Sequence, residues 1–260
     1  MEKHTLESMF SLKGKVCLIT GGARGIGRAV GEHIAGAGAD LVLVDVLEDL
    51  VKETAKEIAD FYGIRVLPLV CDVTKPDEVE AMIAKAGEEM GTLDLLFNNA
   101  GIGMHKHCLE VTPEDWLKVN DVNYNGVFYV ATAFARYLVA HEKGGSIVNT
   151  ASMSATIINT PQEQIAYNSS KAGVVHMTHT LACELARYNI RVNCISPGYM
   201  QTPMTAKRPQ ELKDYWCERI PMGHMGVPDN LATGVIYLMS DSAAYTTGCN
   251  LIMDGGYTLF

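Results

Sequence analysis

Short apolar runs alternate with longer amphipathic stretches along the whole chain. Lys15-Val16-Cys17-Leu18-Ile19-Thr20 and Asp40-Leu41-Val42-Leu43-Val44-Asp45 are continuous and of strand length, the pattern of strands covered on both faces. Residues 65–73, 93–97, 145–152, 190–196 and 251–254 repeat the pattern. Between them, helical periodicity covers residues 29–37, 47–62, 76–90 and 230–239. A further helix carries Tyr167 and Lys171 and runs to about Tyr188. The stretch from Trp116 to Tyr137 is also helical, interrupted at Asn123-Tyr124-Asn125-Gly126. Strands that alternate with helices predict right-handed parallel crossovers. The expected fold is therefore α/β, a Rossmann-type doubly wound parallel sheet flanked by helices, in one domain over residues 1–260. Residues 199–226 lack a clean period and are rich in Met, Pro and Lys, as a mobile lid would be.

Composition narrows the function. The chain has 260 residues, 48% hydrophobic and 20% charged, so it can bury a sizeable core without cross-links. A net charge of −9, spread along the chain, argues against nucleic-acid or membrane-surface partners, which call for basic surface. The seven Cys are scattered and form no C-x-x-C pair, so neither a metal site nor a redox motif is expected. The residues before Leu12 lack an apolar targeting core, and no apolar run reaches the ~18 residues of a membrane span. A cytoplasmic, reduced protein is expected.

Candidate chemistry lies where predicted strands end. The first strand runs into Gly21-Gly22-Ala23-Arg24-Gly25-Ile26-Gly27 and then a helix, the context of a dinucleotide fingerprint. Glycines let the backbone approach a pyrophosphate, and a helix N-terminus offers free N–H groups. Asp45 closes the second strand, eighteen residues after Gly27, near where an acid holds adenine-ribose hydroxyls. Its charge would repel a 2′-phosphate, which predicts NAD over NADP. Arg24 would partly offset that repulsion, and a strand-end cap is the other reading of Asp45. Asp72 closes the third strand on the same side of the sheet. Tyr167 and Lys171, four residues apart, share one helix face. An ammonium beside a phenol favours the phenolate, lowering a pKa near 10 toward neutrality and making Tyr167 a proton donor or acceptor.

Four elements occur in order: Thr20-Gly21-x-x-x-Gly25-x-Gly27, Asn98-Asn99-Ala100-Gly101, Ser152 with Tyr167-x-x-x-Lys171, and Pro197-Gly198. Together they resemble the short-chain dehydrogenase/reductase family, from about Leu12 to Tyr257. The resemblance implies that Tyr167 is the general acid/base and that Lys171 lowers its pKa and holds the nicotinamide ribose. It implies that Ser152 hydrogen-bonds the substrate oxygen and that Asn123 organises a water and proton relay. Ser154 competes with Ser152; Ser152 is preferred because it ends the strand through Ile147 and Val148. For the cofactor the resemblance implies Gly21, Arg24, Gly25, Ile26 and Gly27 at the pyrophosphate and Asp45 at the adenosine ribose. It implies Asp72 and Val73 beside adenine, Asn99 and Gly101 along the cofactor, and Pro197, Gly198 and Thr202 on the nicotinamide side.

Within the family, Ala151-Ser152-Met153-Ser154, Tyr167-Asn168-x-Ser170-Lys171-Ala172-Gly173 and Asp254-Gly255-Gly256-Tyr257 are similar to polyol dehydrogenases and ketose reductases of the arabinitol, sorbose and mannitol type. That likeness implies hydride transfer between a secondary alcohol of a sugar alcohol and NAD. Gln162, Gln164 and Asn168 near the tyrosine offer amide contacts to a sugar chain. A rival substrate is a bulky apolar alcohol such as a hydroxysteroid, suggested by Met104, Met153, Met200, Met204, Met222 and Met225 in the neighbouring loops. A non-catalytic nucleotide-binding scaffold is a third reading, and it predicts a broken Ser–Tyr–Lys set. His105 and His107 also lie within reach of the substrate loops. The family further implies a homotetramer or homodimer.

Overall fold

Strands that are apolar on both faces need cover on both, and a helix-flanked parallel sheet supplies it. The computed structural model describes residues 5–259. Its seven strands are β1 (Val16–Thr20), β2 (Asp40–Asp45), β3 (Val66–Val70), β4 (Leu95–Asn98), β5 (Gly145–Thr150), β6 (Ile190–Pro197) and β7 (Asn250–Met253). They form one sheet in the order β3-β2-β1-β4-β5-β6-β7, every pair parallel. The helices are α1 (Leu6–Phe10), α2 (Gly25–Gly36), α3 (Glu48–Tyr62), α4 (Pro76–Met90), α5 (Pro113–Asn120), α6 (Gly126–Ala140), α7 (Ile165–Leu185), α8 (Pro203–Ala206), α9 (Gln210–Arg219) and α10 (Asp229–Met239). The doubly wound Rossmann-type sheet is the expected one.

Successive strand residues point to opposite faces, and the core divides accordingly. Leu18, Val42 and Val44 pack with Val79 and Ile83 of α4 and Phe134 of α6. Cys17, Ile19, Leu41 and Leu43 pack with Val30 and Ile34 of α2, Ile58 of α3 and Val235 of α10. Local signals set the helix ends. Pro76 opens α4, and Gly63 and Gly91 close α3 and α4 with left-handed φ of 66° and 79°. At the N-terminal rim of the sheet, Asp94 accepts the Val16 N–H at 2.9 Å. Lys143 Nζ donates to the same carboxylate at 2.6 Å, to the Leu93 carbonyl at 3.3 Å and to Thr92.

Several boundaries differ from expectation. The third strand stops at Val70, leaving Asp72 and Val73 in the loop toward α4. β5 stops at Thr150, and Ser152 instead caps a short 3-10 turn, Met153–Ala155. The expected interruption at Asn123–Gly126 is no break: a π turn, Asp121–Asn125, joins α5 to α6. Residues 199–226, which showed no clean period, hold two short helices and a small apolar cluster of Tyr199, Trp216, Ile220 and Met225. Among the described residues no helix is long and apolar enough to cross a membrane.

One glycine decides how closely α2 approaches the turn after β1. A Cβ on Gly27 would lie 2.1 Å from the Gly21 carbonyl oxygen and 2.7 Å from Asn99 Nδ2. Both neighbours belong to turns fixed by the sheet, so neither yields cheaply. Gly27→Ala is expected to cost about 1–3 kcal/mol or more through overpacking. That corresponds to a Tm fall of roughly 2–12 °C for a chain of this size, measurable by thermal melting. An unchanged Tm would contradict this account of the α2 contact.

Candidate active site

A cavity of about 680 Å³ opens at the C-terminal edge of the sheet, where β1 and β4 diverge. This is the switch point at which doubly wound sheets hold ligands. Its first wall is the turn after β1. Gly21 and Gly25 take left-handed φ of 64° and 61°, conformations that favour glycine. Arg24, Gly25 and Ile26 line the cavity at the start of α2. No side chain caps that helix and its first turn holds no acid, so its free N–H groups suit an anion such as a pyrophosphate. Gly27, expected at the same contact, does not line the cavity; the Gly21 carbonyl stands against its Cα, and the residue serves packing instead.

Asp45 and Asp72 line the adjoining stretch. Asp45 accepts the Ala23 N–H at 3.2 Å on one carboxylate oxygen and the Leu47 N–H at 3.1 Å on the other. It therefore acts as a cap and still presents unused lone pairs to the cavity. Asp72 accepts both the N–H and the hydroxyl of Thr74, at 3.0 and 2.8 Å. Val73, Asn99 and Gly101 also border the space. Asn99 donates to the Thr20 and Gly21 carbonyls at 3.2 and 3.3 Å, locking β4 to the glycine turn. Pro197, Gly198 and Thr202 close the far side.

Ser152, Tyr167 and Lys171 meet in the middle of the cavity wall. Lys171 is 3% exposed. Its Nζ donates to the Thr150 carbonyl at 2.7 Å and, among the described residues, has no acid within 4.0 Å. Burial without a counter-ion pushes its pKa down to about 8. Nζ lies 5.8 Å from the centre of the Tyr167 ring. The Tyr167 phenol does not show the lowering expected from that neighbour. Burial raises its pKa, and the Ser152 hydroxyl acts in the opposite direction. At 5.8 Å, and engaged with Thr150, the ammonium does not overcome desolvation of the phenolate.

The two candidate serines are coupled. Ser152 Oγ accepts the Ser154 N–H at 3.1 Å and donates to Ser154 Oγ at 3.1 Å, and both side chains line the cavity. Ser152 is the one that acts on the phenol. Asn123 is fully buried and does not line the cavity. Its Oδ1 accepts the Ile102 N–H at 2.8 Å; its Nδ2 donates to the Ile102 carbonyl at 2.9 Å and to Ser170 Oγ at 3.3 Å. Its side chain is thus engaged with the loop after β4 and with α7 rather than with the cavity.

The deep end of the cavity is polar and was only partly foreseen. Asn159 Nδ2 and Gln162 Nε2 donate to Tyr199 Oη at 3.1 and 2.5 Å, and Trp216 Nε1 donates to Gln162 Oε1 at 3.2 Å. Tyr199 stacks on Trp216, ring centres 4.1 Å apart. Asn168 does not line the cavity; its Oδ1 accepts from Gln164 Nε2 at 2.8 Å, so it backs Gln164 rather than facing a ligand. Of the methionines singled out, Met153, Met200 and Met204 line the space, and so does His105 but not His107. Asn159 and Trp216 had no sequence signal as site residues, and they are joined with Tyr199 only by the fold. Among the described residues no cluster of three or more His, Cys, Asp or Glu is disposed to hold a metal.

Residues 21–258 match a family model described as enoyl-(acyl carrier protein) reductase. A sorbose reductase of Candida albicans is 38% identical over 252 residues, covering 96% of this chain and 89% of the relative. A probable NADP-dependent mannitol dehydrogenase of Yarrowia lipolytica is 41% identical over 250 residues, covering 95% and 89%. A crystal structure of a short-chain type dehydrogenase/reductase from Mycobacterium marinum superposes with a TM-score of 0.94 at 41% identity, covering 98% of this chain and 99% of that one.

The buried Lys171 predicts a trade between stability and chemistry. Its folded pKa, about 8, lies below the ordinary 10.5. Between those values the unfolded chain binds the extra proton, so this group makes stability rise with pH there; below about 8 the full cost of burying the charge is present. That cost is about 3 kcal/mol, offset in a Lys171→Met variant by loss of the Thr150 hydrogen bond, about 1–2 kcal/mol. Lys171→Met is expected to melt a few degrees above the wild type at pH 7, with the gain shrinking as pH approaches 10. A lower Tm at pH 7 would contradict the unpaired state of this ammonium.

Proposed function

The chain belongs to the short-chain dehydrogenase/reductase family, and we propose that it interconverts a secondary alcohol of a polyol with the corresponding ketose, using NAD in preference to NADP. The observation that carries this reading is the meeting of Ser152, Tyr167 and Lys171 in one cavity with a wall of buried carboxamides. A nicotinamide dinucleotide, when bound, supplies the hydride acceptor. Gly21, Arg24, Gly25 and Ile26 hold its phosphates, Asp45 its adenosine ribose, and Asp72 and Val73 the edges of its base. Asn99, Gly101, Pro197, Gly198 and Thr202 bound the rest of that groove.

Tyr167 takes the hydroxyl proton of the alcohol, and Ser152 steadies the oxygen as charge develops on it. Lys171 has one N–H engaged with Thr150 and two left for ligand. Its positive charge makes deprotonation of Tyr167 easier once a ligand draws the two groups together. In the reverse direction the neutral phenol, favoured by burial, donates its proton to the ketone. Residues 199–226 act as a lid, since Thr202, Met204 and Arg208 face the cavity from it. Gln164 favours a polyhydroxylated substrate over a hydroxysteroid, because its carboxamide oxygen, left facing an apolar ligand, would lack a hydrogen bond.

The preference for NAD rests on Asp45, whose carboxylate faces the groove beside Leu47. Arg24 and the NADP-dependent name of the Yarrowia relative weigh against it. Self-association is also part of this reading: Trp116, Leu117 and Phe128 on α5 and α6 are between 39% and 55% exposed. A cytoplasmic setting fits seven cysteines that are all free thiols.

Two measurements test these assignments. A panel of pentitols, hexitols, ketoses and hydroxysteroids, read by NADH absorbance, should show turnover of polyols, and Tyr167→Phe should lower kcat by at least about 100-fold while NAD binding persists. Unchanged turnover in that variant would remove Tyr167 from the chemistry. Separately, kcat/KM should favour NAD over NADP in the wild type, and Asp45→Asn should shift the ratio toward NADP by about tenfold or more, the effect of removing roughly 1.4 kcal/mol of repulsion. A wild-type preference for NADP would overturn the role given to Asp45.

A further inference from the structure

Gln164 stands at the N-cap position just before α7, three residues before Tyr167, and its carboxamide is held in one orientation. Its Nε2 lies 2.9 Å from Asn159 Oδ1, 2.8 Å from Asn168 Oδ1 and 3.3 Å from Ser154 Oγ. Two carbonyl oxygens on that side require the nitrogen, not the oxygen, to face them, and its two hydrogens are thereby used. The other end of the group, Oε1, has no protein donor among the described residues. Gln164 is nonetheless 9% exposed and lines the cavity, and among the described residues no fully enclosed side-chain nitrogen or oxygen lacks a partner. Its oxygen therefore opens onto the cavity.

The neighbouring amides differ. Gln162 is engaged at both ends, by Tyr199 and Trp216. Asn159 is too, by Tyr199 and by Gln164 itself. Gln164 thus offers the one carboxamide oxygen of this trio that no donor among the described residues uses. An acceptor of this kind selects a ligand that brings a hydrogen-bond donor, and a hydroxyl is the donor a sugar alcohol carries. The site of the chemistry is close by: Ser154 Oγ lies 3.3 Å from Gln164 Nε2 and accepts the Ser152 hydroxyl at 3.1 Å.

We propose that Gln164 is a specificity-determining residue whose Oε1 accepts a hydrogen bond from a second substrate hydroxyl, on the carbon next to the carbinol that Tyr167 deprotonates. The enzyme then selects vicinal diols over simple secondary alcohols. This inference rests on the polyol reading above and sharpens it.

The test is kcat/KM with NAD for butane-2,3-diol, butan-2-ol and a pentitol, in the wild type and in Gln164→Met, which keeps length and volume. The wild type is expected to prefer the diol to butan-2-ol by about 10- to 100-fold, the usual span for one hydrogen bond to a buried group. Gln164→Met should level that pair and lower pentitol turnover by a similar factor while NAD binding persists; the Asn159 and Asn168 oxygens it leaves without a donor should lower Tm by a few degrees. Equal losses on diol and mono-alcohol in the variant would assign Gln164 a structural role and overturn the proposal. If the variant fails to fold, the wild-type comparison decides. A wild type that turns over the pentitol yet treats diol and mono-alcohol alike overturns the role of Gln164 and leaves the polyol reading standing. One that oxidises butan-2-ol but neither the diol nor the pentitol overturns the polyol reading itself.

Discussion

A lone buried ammonium governs the design of this site. Among the described residues no carboxylate lies beside the buried Lys171, and the main-chain carbonyl of Thr150 is its partner. A charge in that position persists only where the surrounding structure leaves it no exit. The anchoring comes from the sheet. Thr20, Asn98 and Asn149 form a hydrogen-bonded chain across β1, β4 and β5, with Oγ1–Oδ1 and Nδ2–Oδ1 distances of 3.3 and 3.2 Å. Asn149 then donates to Thr178 of α7 at 3.0 Å, two turns beyond Lys171. The helix bearing the reactive groups is therefore tied sideways to the strands that present the glycine turn, so ligand binding and chemistry share one rigid frame.

Polar groups in the rest of the cavity are also held by other polar groups before any ligand arrives. Ser154 leans on Ser152, Asn159 and Gln162 on Tyr199, and Tyr199 on the face of Trp216. Such preorganisation limits the reorganisation needed when charge moves. It also explains how residues far apart in the chain come to act together: Trp216 and Gln162 are separated by 54 positions but linked by one hydrogen bond.

Much of this was legible beforehand, for local reasons. β2 and α4 fall on the residues their patterns mark, because an apolar run bounded by acids, and a proline start with a glycine stop, are signals carried within a few residues. Tyr167, Lys171, Ser152 and the glycine turn were legible through the family resemblance that their joint order carries, since each alone is a weak signal. The failures share a different cause. The ends of β3 and β5 depend on which neighbouring strand continues to pair. The π turn that carries α5 into α6 looks, in sequence, like a polar interruption. Gly27 and Asn123 were assigned to the cavity by motif, but steric contact with Gly21 and hydrogen bonds to Ile102 place them behind its wall. Nothing local marks Asn159 or Trp216, whose partnership with Tyr199 exists only after folding.

The opposite rim of the sheet carries a different burden. There Asp94 and Lys143 clamp the start of β1 to the approach to β5, far along the strands from the cavity. Damage at that rim would show as poor yield of soluble enzyme, and damage at the other as altered turnover or selectivity in a well-folded one. The two ends are in effect separate dials for a protein engineer. A library screened on activity alone would mix their effects, whereas one sorted first on expression would separate them.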